Sequence, residues 1–288
     1  MSATSPFEIR KALDSAGAPV SPLVYASPHS GRIYPARMME ASALNADAIR
    51  RSEDAFVDEL IAAAPRHGAS VLMARLARAY IDVNREPYEL DQAMFEDELP
   101  EFAQGRTARV AAGLGSIARI VSEGQEIYAR KLTFEEARER IETVHAPYHQ
   151  ALAELLVDVK AAHGLAILID WHSMPSAAAA QGRSGKGCDV VLGDRFGAAC
   201  SPLLTRLVEQ QLEAMGYRTV RNAPYAGGHT TEHYGKPAKR IHALQIEINR
   251  ALYLDEETMQ PTEGLKRLAR NIERLTDVLA AADWEKLR

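Results

Sequence analysis

The chain has 288 residues, 34 Lys+Arg against 39 Asp+Glu for a net charge of −5, and 47% hydrophobic and 25% charged residues. That length can bury a substantial core, and the composition is that of an ordinary globular protein, which excludes a disordered or collagen-like chain. A slightly acidic chain lacks the basic face that non-specific nucleic-acid binding needs. Two cysteines, Cys188 and Cys200, cannot build a disulfide scaffold or a thiolate zinc site and read as small buried residues. The start of the chain carries no basic-then-apolar secretory pattern, and no apolar run approaches the ~18 residues of a membrane span. A soluble, cytoplasmic protein without a nucleic-acid or membrane partner is expected.

Short β-prone runs alternate with longer amphipathic stretches, which predicts an α/β architecture. Leu23–Ala26 reads as a buried strand opening into Ser27-Pro28-His29-Ser30-Gly31. Residues 52–64 read as a helix with Phe56, Leu60 and Ile61 on one face, closed by Gly68. Strands follow at 70–76 and 80–83, the latter ending in Asn84-Arg85-Glu86-Pro87. From about 86 to 132 the pattern breaks down, and this stretch reads as a loop excursion over the site within one domain spanning 1–288.

Thr133-Phe134-Glu135-Glu136 is a capping-box signature for a helix that Pro147 should bend or divide. The apolar run 165–169 leads into Asp170-Trp171-His172-Ser173 and reads as a central strand. Further strands are expected at 189–192, 219–221 and 244–248, with helices after Ser201 and Thr262. The latter helix should bury Leu265, Leu268, Ile272, Leu275 and Leu279.

In α/β sheets, chemistry gathers beyond the carboxyl ends of the strands. Here those ends carry His29-Ser30, Asn84-Arg85, His172-Ser173 and Glu247 within Gln245-Ile246-Glu247-Ile248-Asn249-Arg250. Alternation puts Gln245, Glu247 and Asn249 on one face, where burial demands polar partners. Two histidines and a carboxylate match the three protein ligands of a catalytic zinc site, although each histidine alone is equally a hydrogen-bonded loop residue.

These residues carry a resemblance. Ser27 to Arg32, Arg51 to Leu60, Tyr80 to Arg85, Gly113 to Ile117, Gly124 to Tyr128 and Asp170 to Ser173 come in the order of the N-formylglutamate amidohydrolase family. Gly227 to Thr231, Tyr234-Gly235 and Gln245 to Arg250 complete the series. That family is similar in plan to zinc carboxypeptidases and aspartoacylase-like deacylases. The resemblance implies a three-layer α/β/α fold with a mixed central sheet, zinc-exopeptidase-like, and one zinc ion. It implies His29 and His172 as metal ligands with a carboxylate from the Glu53-Asp54 pair. Asp54 fits the family pattern, and Glu53 stays an alternative because Arg32 stands where the carboxypeptidase pattern has a glutamate.

Glu247 would then be the general base and acid, and Asn84 and Arg85 would hold a substrate carboxylate, with Ser173 and His229 also at the substrate. The activity implied is hydrolysis of the amide of N-formylglutamate or a related N-formyl or N-acyl amino acid. A carboxypeptidase-like metallopeptidase and a non-catalytic binder of an acidic metabolite are the alternatives.

One departure stands out. Glu232 occupies a place where the family usually has arginine, and a glutamate there reverses the local charge and should repel a second substrate carboxylate, by roughly a few kcal/mol for a partly buried pair in close contact. On that ground, N-formylglutamate is expected to be a weaker substrate than another N-acyl compound.

Three remaining motifs have bland readings. His229 and His233 are four apart, but Gly227 and Gly228 favour a loop over a helical metal pair. His145 and His149 read as helix packing around Pro147. Gly182 to Gly187 lacks the spacing of a phosphate-binding loop and reads as a substrate-side loop or a simple turn.

Overall fold

A computed structural model describes residues 5–103, 105, 107–121, 124–180 and 187–287. The segment 182–186 singled out above lies outside the described residues. The chain forms two compact units: one of residues 5–8, 28–55 and 74–151, the other of residues 9–27, 56–73 and 152–287.

The seven strands are β1 (Phe7–Arg10), β2 (Leu23–Ser27), β3 (Ser70–Ala74), β4 (Ala166–Met174), β5 (Val190–Gly193), β6 (Thr219–Arg221) and β7 (Ile241–Asn249). They lie in the order β1-β3-β2-β4-β7-β5-β6. β2 pairs in parallel with β3 and β4, β4 with β7, and β5 with β6, while β5 and β7 are antiparallel. This is the mixed sheet expected. All nine residues of β4 are buried, as the apolar run 165–169 demands of a strand covered on both faces.

In the larger unit the Gly264–Ala281 helix buries Leu268, Ile272, Leu275 and Leu279 at helical spacing, whereas Leu265 is only half-buried. Each such side chain contributes about 1.5–3 kcal/mol through burial. Thr276 on the same face meets the Tyr25 hydroxyl of β2 at 2.9 Å, so this polar pair is satisfied inside the core. Ser201 caps the Pro202–Ala214 helix through the Leu203 N–H, with Pro202 at a position that needs no donor. Among the described residues, no helix is long and apolar enough to cross a membrane.

In the smaller unit the irregular stretch has its own core. Leu90, Met94, Phe95, Leu99, Ala103, Ile117, Leu132 and Ala137 cluster, with short helices at Gln92–Met94, Glu101–Ala103 and Ala108–Ala111.

Two predicted elements differ from expectation. The helix over 52–64 shrinks to Val57–Leu60, because Glu53 is extended (φ −66°, ψ 144°) and Phe56 is left-handed (φ 63°). The Asp54 N–H donates to the His29 carbonyl at 3.0 Å, so the backbone of the acidic pair is bonded to the histidine loop instead of a helical turn. Residues 80–83 form no strand: Tyr80 and Val83 lie in turns, with irregular chain between them. Their polar groups find other partners, such as Asp82 N–H on the Ser116 carbonyl at 2.7 Å. Apolar alternation over four residues cannot tell these cases apart.

The capping box forms as expected: Thr133 accepts from the Glu136 N–H, and Glu136 accepts from the Thr133 N–H at 2.9 Å. Beyond the Phe134–Arg140 helix the chain takes a π turn, Ile141–His145, before continuing as Ala146–His163. Pro147 explains the switch, since its ring would collide with the carbonyl four residues back in a regular helix.

Arg130 grips Glu136 with two hydrogen bonds and, outweighing partial burial, holds its carboxyl down from 4.5 to about 2. A folded-state pKa below the ordinary value contributes stability above pH 4.5 that fades as pH falls towards 2. Glu136→Gln should therefore melt below wild type at pH 7, with the gap narrowing at pH 3.5. Thr133→Ala should cost about 1 kcal/mol, or about 2–4 °C in Tm. Thermal melts at the two pH values check both.

Candidate metal centre and active site

His29 follows β2 by two residues, and Gly31 sets its loop. A Cβ at Gly31 would lie 2.1 Å from the Leu76 carbonyl oxygen, so only glycine permits that close approach. His29 Nε2 lies 2.6 Å from Asp82 Oδ1, and its Nδ1 lies 3.3 Å from Asp54 Oδ2. Burial alone would raise the Asp82 carboxyl, but Arg78, His29 and Arg85 together hold it well below the usual carboxylate range. Arg78 Nη2 donates to Asp82 Oδ2 at 2.6 Å. An ionised Asp82 can only accept, so in the neutral imidazole the His29 proton sits on Nε2 and Nδ1 is turned to the Asp54 carboxylate. With Nε2 given to Asp82, a buried Nδ1 and a carboxylate oxygen 3.3 Å apart offer two donor atoms to a cation.

Glu53 is engaged elsewhere. Its carboxylate receives Arg50 Nε at 3.2 Å and the Tyr34 hydroxyl at 2.8 Å. Burial, followed by the Glu53 charge, pushes the Tyr34 phenol upward. Of the two adjacent acids, Asp54 is therefore the one turned to His29.

In the larger unit, alternation along β4 puts Asp170 and His172 on one face and Trp171 on the other, where it stacks edge-on with Tyr25 at 5.5 Å. His172 Nε2 lies 3.0 Å from Asp170 Oδ2, the same carboxylate-on-Nε2 arrangement as at His29. Asp82 and Asp170 are site residues the sequence reading passed over. Both stood in view: Asp82 within Tyr80 to Arg85, and Asp170 two residues before a histidine on a strand, where period two makes them neighbours. Among the described residues, His29, Asp54 and His172 form a group that could hold a metal ion. All are buried, and their ligand atoms lie within 4.8 Å of one another.

Glu247 on β7 is in register with His172 on β4 and with Val191 on β5. Parallel partners put the His172 and Glu247 side chains on the same face about 4.8 Å apart at the backbone. Gln245 Nε2 donates to Glu247 Oε1 at 2.8 Å, and Gln245 Oε1 accepts the Gly228 N–H at 2.6 Å. Gln245 thus orients the carboxylate and ties it to the start of the His229–Tyr234 helix.

That helix corrects the expected loop. Gly227 supplies the φ of +121° that turns the chain into it, and His229 and His233 share a face with ring centroids 5.2 Å apart. Glu232 does not stand as an uncompensated charge: Arg195 Nη2 pairs with it at 2.9 Å while Arg195 Nη1 donates to the Gly227 carbonyl.

Arg85 lies in the turn after Asp82. Its Nε donates to the Leu114 carbonyl at 3.1 Å and its Nη1 to the Asn84 carbonyl at 3.0 Å. These bonds fix the plane of the guanidinium, and neither uses Nη2. Ser173 is not brought to the His172 face; its hydroxyl accepts from Arg250 Nε at 3.1 Å. The cysteines are buried, with the Cys200 thiol pushed up to about 12 by burial.

A mixed sheet of this order, with histidines and acids collected at β2, β4 and β7, defines an α/β fold with its polar residues gathered at the strand ends. The sequence pattern of the N-formylglutamate amidohydrolase family matches residues 21–254. The chain is 31% identical over 240 residues to the N-formylglutamate deformylase of Pseudomonas aeruginosa, covering 82% of this chain and 83% of that one. It is 33% identical to that of Pseudomonas putida, covering 82% of each. A crystal structure of N-formylglutamate amidohydrolase from Ralstonia eutropha JMP134 superposes with a TM-score of 0.88 at 38% identity, over 96% of this chain and 98% of that one. The chain belongs to the N-formylglutamate amidohydrolase family.

Proposed function

We propose that this protein is a metal-dependent amidohydrolase that splits N-formylglutamate, or a closely related N-acyl amino acid, into the carboxylic acid and the free amine. The observation that carries the reading is the buried His29, Asp54 and His172 group, in which each histidine has a carboxylate on Nε2. Such carboxylates fix the ring and make the other nitrogen a better ligand. A set of two imidazoles and one carboxylate suits zinc in a catalytic site. When bound, the ion supplies Lewis acidity towards the amide carbonyl and acidifies the attacking water.

The chain's own residues do the rest. Glu247, oriented by Gln245, takes the proton from the attacking water as the oxygen–carbon bond forms. It returns that proton to the amine nitrogen as the carbon–nitrogen bond breaks. The Asn84–Arg85 turn holds the substrate carboxylate through the guanidinium edge that the bonds to Leu114 and Asn84 do not use. His229, at the start of the helix tied to Gln245, is assigned to the substrate.

The names of the Pseudomonas relatives support N-formylglutamate itself as substrate, and the Arg195–Glu232 pair offsets the charge that would disfavour it. Because that pair is exposed, Glu232→Gln should change kcat/KM for N-formylglutamate by no more than about 5-fold, the scale of an exposed ion pair. Formate release from a panel of N-acyl amino acids by zinc-loaded protein tests the whole reading. Robust formate release from N-formylglutamate supports it, and inertness towards every N-acyl donor by stoichiometrically loaded protein overturns it.

A further inference from the structure

Three side chains of one helical stretch donate to backbone carbonyls of a single segment, residues 80–85. Arg140 Nη1 reaches the Tyr80 carbonyl at 3.0 Å, His149 Nε2 the Val83 carbonyl at 2.7 Å, and His145 Nε2 the Arg85 carbonyl at 2.9 Å. A carbonyl only accepts, so both imidazoles carry their proton on Nε2. The two rings pack at 4.4 Å between centroids, and the Arg140 guanidinium sits 4.5 Å over the Tyr80 ring while donating to the Tyr128 hydroxyl at 2.7 Å.

In a regular helix, residues five apart point about 140° away from each other, so positions 140 and 145 could not act together. The π turn removes that obstacle. Ala146 N–H reaches back five residues to the Ile141 carbonyl, and the wider turn brings Arg140, His145 and His149 towards one side.

The segment they hold has no strand or helix of its own, yet it carries Asp82, Asn84 and Arg85. We propose that Arg140, His145 and His149 are positioning residues: a clamp, made possible by the π turn, that sets the Asn84–Arg85 grip on the substrate's α-carboxylate, the one beside the scissile amide. The proposal rests on the carboxylate-binding role given to Arg85 above. None of the three touches substrate; each acts through a main-chain carbonyl.

The test uses the full-length, metal-loaded enzyme with His145→Ala, His149→Ala, their double variant and His149→Gln, whose side-chain amide can still donate. Two readouts are combined: hydrogen exchange of the amides of residues 82–86, and kinetics on N-formylglutamate and on its α-amide, which lacks the gripped carboxylate. The double variant should exchange these amides at least about 10-fold faster. Its KM for N-formylglutamate should rise about 10-fold or more, with kcat within about 3-fold, metal content unchanged and kcat/KM for the α-amide within about 2-fold. His149→Gln should recover most of the loss seen in His149→Ala.

Unchanged exchange in folded variants overturns the clamp, as does an equal loss on both substrates. Wild-type enzyme that fails to release formate from N-formylglutamate would instead overturn the proposed activity, and exchange at residues 82–86 would still decide whether the clamp holds its segment.

Discussion

Glu247→Gln is expected to lower kcat on N-formylglutamate by about 10²–10⁴-fold, the usual worth of a general acid–base group. The substitution keeps the shape of the side chain, and the new amide oxygen can still accept the hydrogen bond from Gln245 Nε2, so the local packing has no reason to change. What is lost is the capacity to take a proton from water and hand it to the departing amine. KM should stay within about 3-fold, because Glu247 acts in the transition state and not in ground-state binding. Metal content should equal that of wild type. Steady-state kinetics beside metal analysis check this, and a variant retaining more than a tenth of wild-type kcat would remove Glu247 from the mechanism.

Exchanging the two neighbouring acids should give opposite results. Asp54→Ala is expected to abolish stoichiometric metal binding, and with it activity, because it removes the carboxylate that faces His29 Nδ1 at 3.3 Å. Glu53→Gln should keep the metal and most of the activity while lowering Tm, since it leaves the Arg50 guanidinium and the Tyr34 hydroxyl without their buried acceptor charge. Asp82→Asn and Asp170→Asn should fall between, with metal affinity reduced about 10–100-fold, because they loosen the rings without removing a ligand. Metal titration of the four purified variants checks the order. Metal loss in Glu53→Gln with retention in Asp54→Ala would exchange the roles assigned here.

Much of the sheet was legible because its strands are continuous apolar runs bounded by turn residues, as at 23–26 and 165–169. The capping box at Thr133 and the amphipathic helix at 264–281 were legible for the same reason: each is a local pattern whose partners lie within a few residues. The segments at 52–64 and 80–83 misled because the backbone there bonds to groups distant in the sequence. His29 and Asp54 draw the chain out of a helix, and Arg140, His145 and His149 hold a turn where alternation suggested a strand. His145 and His149 passed as packing residues because nothing local shows that the carbonyls they bind lie 60 and 66 positions away.

The opening composition also acquires a sharper meaning. With two cysteines, both buried, and histidines as the remaining soft ligands, the chain itself determined that any catalytic metal takes imidazole and carboxylate. It determined too which residues sit beyond the apolar strands, since hydrophobic periodicity fixes where each strand stops. Only the tertiary structure decided that Asp54 and not Glu53 turns to His29, that Asp82 and Asp170 hold the outer nitrogens, and that Arg195 compensates Glu232. These are questions of which of several adjacent acids points where. Their answers depend on hydrogen-bond partners far apart in sequence, which residue order alone cannot rank.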